Sequence, residues 1–190
     1  MPIADAQNDL LLMVDFQGRL MPAIANGQEV VAQARRLLAA ARLLGVPVVY
    51  TEQNPRGLGG TLPELAPREG EAVVAKMTFD AWRSPEVRRA APAGRATPAG
   101  RATPAERDLL VAGCEAHVCV LQTVLGALAD GRRVKVVRDA IGSRREESRA
   151  AAIARMQGHG AEIVTTEMVV FEWLGSAENP SFKETIALIK

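Results

Sequence analysis

The sequence predicts an α/β domain of three layers, in which helices cover both faces of a central, mainly parallel sheet of six strands. Short apolar runs alternate with longer segments whose apolar residues recur at helical spacing. The predicted strands are apolar along their whole length, which is typical of strands buried on both faces. Repeated strand-then-helix order favours parallel pairing through crossover connections. The length suits a single core, so we expect one domain over residues 1–190.

The first half of the chain supplies three of the six predicted strands. These are Leu10–Val14, Val46–Thr51 and Ala72–Lys76. Between the first two, apolar residues recur at helical spacing from Val30 to Leu44, and Gly45 favours the end of that helix. After the second strand, residues 54–60 are rich in Gly and Pro, which predicts an irregular loop.

The second half supplies three more strands and most of the helices. The predicted strands are Leu109–Gly113, Val134–Val137 and Ile163–Thr166. The predicted helices run through Val120, Val124 and Leu128, over Arg145–His159, and near Glu167–Leu174 and Ser181–Ile189. In the charged helix at 145–159, the residues expected to face inward are Ala150, Ile153, Ala154 and Met156.

A hexapeptide is duplicated between the third and fourth predicted strands. Residues 93–98 and 99–104 both read AGRATP, and residues 105–107 begin a diverging copy. Two short copies are too few for a solenoid, and Gly and Pro in each argue against a regular helix. We interpret 93–107 as an insertion in a surface loop that enters the fourth strand at its amino end. A basic interaction arm is the alternative.

Charge and hydropathy exclude several classes of partner. The chain has 23 basic and 22 acidic residues, so the usual reason to expect a nucleic acid or an anionic membrane is missing. No apolar run approaches the ~20 residues that cross a bilayer. The amino terminus shows no secretory signal pattern, and Cys114 and Cys119 do not make a disulfide framework. We therefore expect a cytoplasmic protein that binds a small molecule, with no nucleic-acid or membrane partner.

Polar residues follow four of the predicted strands. In parallel sheets the functional site lies beyond the carboxyl ends of the strands, so the residues that follow different strands share one edge. The set consists of Asp15, Glu52 with Gln53, Lys76, and the segment Cys114–Cys119. Taken singly, Asp15 could cap a turn, Lys76 could lie on the surface, and Cys119 could be a small buried apolar residue. Together they place a carboxylate, an ammonium and a thiol at one edge.

Cys119 also opens a predicted helix. There the helix dipole and free amides favour a thiolate and bind an oxyanion. The sequence therefore indicates a nucleophile in an environment that stabilises an oxyanion.

At these positions the sequence resembles the isochorismatase-like cysteine hydrolases. The motifs are LMVDFQ at 12–17, KMTFDAW from Lys76, and GCEAHVCVLQT at 113–123, with DAIGSR at 139–144 and VTTEM at 164–168 also fitting. The resemblance covers nearly the whole chain apart from the duplicated hexapeptide. Residues 51–65, TEQNPRGLGGTLPEL, are similar to the isochorismatase-domain-containing proteins, whose substrates are largely unknown.

The resemblance implies roles for individual residues. Cys119 falls at the nucleophile, Asp15 at the general base and acid, and Lys76 at the residue that orients and supports both. It further implies a cis peptide bond between Cys114 and Glu115, with the backbone amides of Glu115 and Cys119 as the oxyanion hole. The implied reaction is attack of the thiolate on an amide carbonyl, followed by hydrolysis of the thioester.

Two branches of the family are disfavoured by particular residues. Nicotinamidases hold a metal with an Asp-x-His pair and a further His, whereas residues 52–54 here read EQN. The two histidines of the chain, His117 and His159, do not restore that set, so we expect no metal and no cofactor. True isochorismatases cleave a vinyl ether without the cysteine, so Cys119 favours C–N hydrolysis. The alternatives are a nicotinamidase-like amidase without metal and a non-catalytic protein that keeps the pocket for a metabolite or partner.

Further residues near the motifs are candidates for substrate binding. They are Gln17, Glu52, Gln53, Phe79 and His117. Each has a structural alternative: Phe79 as core, Glu52 and Gln53 as supports of the following loop, and His117 as a packing or interface residue. The apolar face at Phe182, Ile186 and Ile189 is core or a subunit interface. Because the family commonly forms dimers or larger assemblies, we expect a homo-oligomer.

Overall fold

The computed structural model describes residues 3–91 and 107–189. The duplicated hexapeptide at 93–104 lies outside the described residues, so its interpretation as a loop insertion stays a prediction. Arg107, the first described residue after it, directly precedes the fourth strand.

Six strands form one sheet in which every neighbouring pair is parallel. They are β1 (Asp9–Val14), β2 (Val48–Gln53), β3 (Ala72–Lys76), β4 (Asp108–Cys114), β5 (Val134–Gly142) and β6 (Glu162–Val164). The order across the sheet is β3-β2-β1-β4-β5-β6. The predicted α/β fold with a six-stranded parallel sheet is therefore confirmed. The chain builds outward from β1 on one side and then from β4 on the other, so the switch point lies between β1 and β4. Ligands of open α/β sheets bind beyond the carboxyl ends of the strands at such a point.

Helices cover both faces of the sheet. They are α1 (Gly27–Leu43), α2 (Pro55–Leu58), α3 (Pro85–Ala90), α4 (Leu121–Ala129), α5 (Glu146–Gly158), α6 (Thr166–Leu174) and α7 (Phe182–Ile189). One apolar core joins the sheet to α1, α6 and α7, and a second joins it to α3, α4 and α5. In β1, Leu11 and Met13 belong to the first core, whereas Leu10, Leu12 and Val14 belong to the second. This double burial is the physical reason why the strands are apolar throughout.

Short turns of 3₁₀ helix and one π-helical turn complete the fold. The 3₁₀ turns are Met21–Ala23, Pro63–Leu65 and Ala81–Arg83, and the π-helical turn is Ala116–Val120. The half-buried residues of α7, including Phe182, Ile186 and Ile189, pack against the first core. Within the described ranges, no helix combines the length and the apolar character that crossing a membrane requires.

The inner face of α5 differs from the prediction. Met156 is buried and Ile153 is half-buried, as predicted, but Ala150 and Ala154 are exposed and Ala152 is buried instead. Arg149 lies on the inner side of this helix, where its guanidinium donates hydrogen bonds to the backbone carbonyls of Ile141 and Arg138. A pattern that counts only apolar residues misplaces part of the inner face because an arginine occupies some of it.

Candidate active site

Asp15 and Lys76 form a buried ion pair at the carboxyl edge of the sheet. Asp15 follows β1 with a φ of +54°, a left-handed conformation that aspartate adopts more readily than most residues. Its Oδ1 accepts a hydrogen bond of 2.7 Å from the Thr51 hydroxyl, and its Oδ2 lies 2.7 Å from Lys76 Nζ. The two side chains are 0% and 1% exposed. The carboxylate is therefore shielded from solvent and held on both oxygens.

Lys76 is held in place by a second acceptor. It is the last residue of β3, and its Nζ also donates a hydrogen bond of 2.8 Å to Gln53 Oε1 at the end of β2. The ammonium thus bridges side chains that follow or end three neighbouring strands. This arrangement fixes its position relative to Asp15.

Cys119 lies on the β4 side of the switch point, whereas Asp15 and Lys76 lie on the β1 side. The cysteine lies in the π-helical turn Ala116–Val120 between β4 and α4 and is 5% exposed. Burial, together with the charge of Asp15 and hydrogen bonding to it, raises the pKa of the Cys119 thiol to about 12, whereas Lys76 acts to lower it. The thiol is thus protonated near neutral pH and interacts with both members of the pair.

Two expectations for Cys119 are corrected by this geometry. The α-helix begins at Leu121 rather than at the cysteine, which stands in the preceding π-helical turn. The free thiol is also not biased toward thiolate, because burial and the neighbouring carboxylate outweigh the ammonium. The resting thiol is therefore predominantly protonated near neutral pH.

The other cysteine belongs to the opposite face of the sheet. Cys114 ends β4, is fully buried in the first core, and has its thiol pKa raised by burial. Among the described residues, the charge of Lys76 acts on the pKa of Cys119 and not on that of Cys114. This difference agrees with the prediction that Cys114 is a packed residue at a strand end.

Gly113 allows β4 to approach the end of β1. Its φ is +143°, and a Cβ at this position would lie 2.1 Å from the carbonyl oxygen of Val14. Only glycine fits there, and Val14 directly precedes Asp15. The glycine therefore permits the close pairing that brings the turn after β4 beside the carboxylate.

The turn that contains Cys119 is joined to the loop after β5. The peptide bond between Cys114 and Glu115 is cis. Oε2 of the buried Glu115 side chain accepts hydrogen bonds of 3.0 Å from both the backbone N–H and Nε of Arg144. His117 Nδ1 lies 3.0 Å from the Ser143 hydroxyl. Ser143 and Arg144 lie in the DAIGSR motif, but the sequence assigns them no role because the predicted fifth strand ends at Val137. In the structure, β5 extends to Gly142 and places both residues at the functional edge.

Gln17, Gln53 and Glu52 use their polar atoms within the chain. Gln17 is fully buried; its Nε2 donates to the carbonyls of Gln53 and Gly59, and its Oε1 accepts from the Gln53 amide. Glu52 Oε1 accepts from both the backbone and the hydroxyl of Thr61. These contacts fit the alternative in which Glu52 and Gln53 support the following loop. They give Gln17 the same supporting function, and direct substrate binding by the three stays a prediction.

Phe79, three residues after Lys76, is exposed rather than part of the core. It is 50% exposed, and Met77, which directly follows Lys76, is 72% exposed. The core alternative for Phe79 is therefore wrong. Its exposure leaves it free to contact a substrate at this edge, as does the half-buried position of His117.

Within the described residues, neither a cluster of metal ligands nor either of two cavities involves the ion pair or Cys119. Between 3–91 and 107–189, no three His, Cys, Asp or Glu side chains group as a metal site. His159 Nδ1 faces the Arg155 carbonyl at the end of α5. One cavity of about 510 Å³ lies at the amino ends of β2 and β3, and another of about 380 Å³ lies beside α1. Neither is lined by the ion pair or by Cys119.

Comparison with known proteins gives consistent matches. The model of the isochorismatase domain matches residues 9–168. Isochorismatase domain-containing protein 2 of Pongo abelii is 40% identical over 183 residues, covering 96% of this chain and 83% of the relative. The human protein of the same name is 39% identical over the same shares.

Solved structures show the same architecture. The structure of MAR1 ribonuclease from Caenorhabditis elegans superposes with a TM-score of 0.88 at 32% identity, covering 99% of this chain and 92% of that one. YcaC from Pseudomonas aeruginosa, solved with hexane-2,5-diol and covalent acrylamide, gives a TM-score of 0.83 at 25% identity, covering 98% and 91%.

Proposed function

This chain belongs to the isochorismatase family, and we propose that it acts there as a cysteine hydrolase that cleaves the C–N bond of a small amide. The observation that carries the proposal is the buried Asp15–Lys76 ion pair, both of whose charges act on the pKa of the buried Cys119 thiol. A carboxylate that faces a thiol is an acceptor for its proton, and a nearby ammonium stabilises the thiolate that results. The covalent acrylamide in the P. aeruginosa relative is compatible with a nucleophilic site in this fold.

In the proposed first half-reaction, Asp15 takes the thiol proton while Cys119 Sγ bonds to the carbonyl carbon. Because the raised pKa keeps the resting thiol protonated, the proton must be transferred during the reaction, and Asp15 is the proposed acceptor. The backbone amides of Glu115 and Cys119 stabilise the oxyanion. Asp15 then gives the proton to the leaving nitrogen as the C–N bond breaks, which releases an amine and leaves a thioester.

In the second half-reaction, water replaces the amine. Asp15 accepts a proton from the water as its oxygen attacks the thioester carbonyl, and the proton passes to the departing Cys119 sulfur. The net reaction is an amide plus water giving a carboxylic acid plus an amine. Lys76 keeps its proton throughout and stabilises the negative charge as it moves between Asp15 and Cys119.

The substrate side of the proposal rests on residues close to Lys76 and Cys119 in the sequence. Phe79 and Met77 offer exposed apolar surface beside Lys76, and His117 lies two residues before the nucleophile. We assign these residues to substrate contact, while Gln17, Glu52 and Gln53 hold the loops around the site. We also expect a homo-oligomer.

A chromogenic ester tests the nucleophile before any substrate is known. We expect p-nitrophenyl acetate to acetylate the wild-type chain in a burst of p-nitrophenolate, with the acetyl group located on Cys119 by peptide mass spectrometry. Cys119→Ser should abolish the burst, and Cys114→Ala, the matched thiol control, should retain it. Dialysis against EDTA should leave the burst unchanged. Acetylation that persists in Cys119→Ser would overturn the proposal.

Amide hydrolysis is then measured by ammonia release from a panel of small primary amides that includes nicotinamide. Release that requires Cys119, Asp15 and Lys76 would support the proposed reaction and identify the substrate. A burst with p-nitrophenyl acetate but no release from any amide would favour the non-catalytic binding protein.

Ribonuclease activity is a second candidate, because the C. elegans relative at 32% identity is named a ribonuclease. The near-neutral net charge of +1 does not favour RNA binding. Incubation of single-stranded RNA with the wild type and with Cys119→Ser distinguishes the two functions. Cleavage by the wild type that fails in the variant would move the candidate site to phosphodiester chemistry.

A further inference from the structure

The turn that contains the nucleophile is fastened at two points to a loop outside the Asp15–Lys76–Cys119 cluster. Oε2 of Glu115, which is 7% exposed, accepts two hydrogen bonds from Arg144, one from its backbone N–H and one from its Nε. Two residues further along the turn, His117 faces the buried hydroxyl of Ser143. Consecutive residues of the loop after β5 thus contact alternate residues of the turn after β4.

The turn has irregular backbone geometry, so its position depends on such contacts. Residues Ala116–Val120 form a π-helical turn, in which the amides of Val118 and Val120 both donate to the Glu115 carbonyl. Glu115 therefore holds the turn in two ways. Its backbone carbonyl accepts hydrogen bonds within the turn, and its side-chain carboxylate accepts hydrogen bonds from Arg144. A buried carboxylate that is left without partners is costly, so the Arg144 contacts also hold Glu115 in this position.

We propose that Arg144, with Ser143, is a positioning residue that holds the nucleophile turn through Glu115 and His117. This inference rests on the proposed function, because it assumes that Cys119 and the Glu115 amide act on the substrate carbonyl. Arg144 works through Glu115 rather than through substrate, and its side chain is 60% exposed. A displacement on the order of 1 Å at a reacting group can cost about 100-fold in rate. Contacts that fix the position of the turn are therefore expected to affect turnover.

The test compares acetylation by p-nitrophenyl acetate, a neutral probe, across a small set of variants. We expect Arg144→Ala to lower the maximal acetylation rate about tenfold with little change in the probe concentration that gives half-saturation. Glu115→Ala should lower the rate at least as much, because it removes the acceptor of both hydrogen bonds. The double variant should be no slower than Glu115→Ala alone, since the two residues act through one contact. Arg144→Lys should recover part of the rate.

Arg145→Ala is the matched control, because it removes an exposed guanidinium from the next position of the same loop. We expect it to react at the wild-type rate, and the unfolding midpoints of all variants are measured to exclude global loss of structure. A wild-type rate in Arg144→Ala, or a rate that falls equally in Arg145→Ala, would overturn the proposal that Arg144 positions the turn. So would multiplicative losses in the double variant.

Amide hydrogen exchange at 115–120 separates this inference from the proposed function. If the wild type is not acetylated at Cys119, the hydrolase proposal fails. The positioning proposal for Arg144 still predicts faster exchange of this segment in Arg144→Ala and Glu115→Ala. Exchange in Arg145→Ala should match the wild type. Unchanged exchange in Arg144→Ala would overturn the positioning role of Arg144, whatever the outcome of the acetylation experiment.

Discussion

Lys76 Nζ lies 2.7 Å from Asp15 Oδ2, and neither side chain is more than 1% exposed. A pair at this depth is not screened by water, so each charge depends on the other for its stability. The Asp15 carboxyl group and the Lys76 amine are therefore held together inside the protein, close to the Cys119 thiol. The consequences for folding and for the thiol can be measured separately.

Removing one partner of this pair should destabilise the protein more than removing both charges. We expect Lys76→Met to lower the free energy of unfolding by about 3 kcal/mol, because the Asp15 carboxylate stays buried without its cation. The double variant Asp15→Asn/Lys76→Met should be more stable than Lys76→Met, as judged by urea unfolding. Arg83→Met is the control, since the ion pair of Arg83 with Asp80 spans 3.8 Å and the arginine is 80% exposed. A Lys76→Met variant as stable as the control would contradict this.

Asp15 and Lys76 should act on the reactivity of Cys119 in opposite directions. Asp15 raises the pKa of the thiol and Lys76 lowers it, so Asp15→Asn should speed alkylation by iodoacetamide near neutral pH. The gain should be about threefold for each unit by which the pKa falls, because the rise in thiolate fraction is partly offset by the lower nucleophilicity of a less basic thiolate. Lys76→Met should slow alkylation. Both are measured in a Cys114→Ala background, which leaves one thiol. Asp15→Asn should nevertheless lose the acetylation burst, because no base receives the proton. Slower alkylation of Asp15→Asn would contradict the assigned electrostatics.

Local patterns predicted most of the elements and the residues that end them. Ala72–Lys76 was predicted with the observed bounds, because its apolar run stops at a charge that also ends the strand. β5 extends to Gly142, well beyond the predicted Val137, because polar Arg138 and half-buried Asp139 lie within a strand whose last residues are buried. A pattern of apolar residues stops at such an interruption, although the backbone pairing continues.

Contacts between distant segments were beyond the sequence. The order of the strands, with β1 and β4 as neighbours, depends on pairings between residues about 100 positions apart. Two further contacts also join segments that are distant in the sequence. Arg144 Nε donates a hydrogen bond to Glu115 Oε2, and the backbone N–H of Gln53 donates one to Gln17 Oε1. Cys119 was singled out because it follows a strand, whereas its raised pKa follows from burial that only the folded chain reveals.

Gly113→Ala should disrupt the junction between β1 and β4. A Cβ there would meet the Val14 carbonyl oxygen at 2.1 Å and would require a φ that alanine rarely adopts, so we expect the free energy of unfolding to fall by more than about 3 kcal/mol. Gly158→Ala, at the end of α5 with no atom within 4 Å of the added Cβ, is the control. It should be neutral or stabilise by up to about 1 kcal/mol. Equal stability of the two variants would exclude a requirement for close approach at Gly113.

A second buried ionic cluster lies at the amino edge of the sheet, opposite the candidate site. Lys135 Nζ is 3.3 Å from Asp108 Oδ2 and 3.8 Å from Asp9 Oδ1, and Trp173 Nε1 donates a hydrogen bond of 2.7 Å to Asp9 Oδ2. Burial is the largest influence on Asp9 and raises its pKa from 3.8 to about 6, against the opposing effects of Lys135 and Trp173. This carboxyl group therefore titrates in a range where an unfolded aspartate is already ionised.

The raised pKa of Asp9 fixes the sign of a pH dependence. Between about pH 6 and pH 4 the folded chain holds a proton on Asp9 that the unfolded chain has released, so acidification through this range favours the folded state. Relative to Asp9→Asn, the free energy of unfolding of the wild type should rise as the pH falls from 7 to 4. The rise should approach about 3 kcal/mol, from roughly 1.4 kcal/mol per unit of pKa. Urea unfolding of both proteins across this range measures the difference, in which titrations common to both cancel. A difference that stays constant, or that falls toward acid, would show that Asp9 is ionised in the folded chain at pH 5 and that Lys135 outweighs its burial.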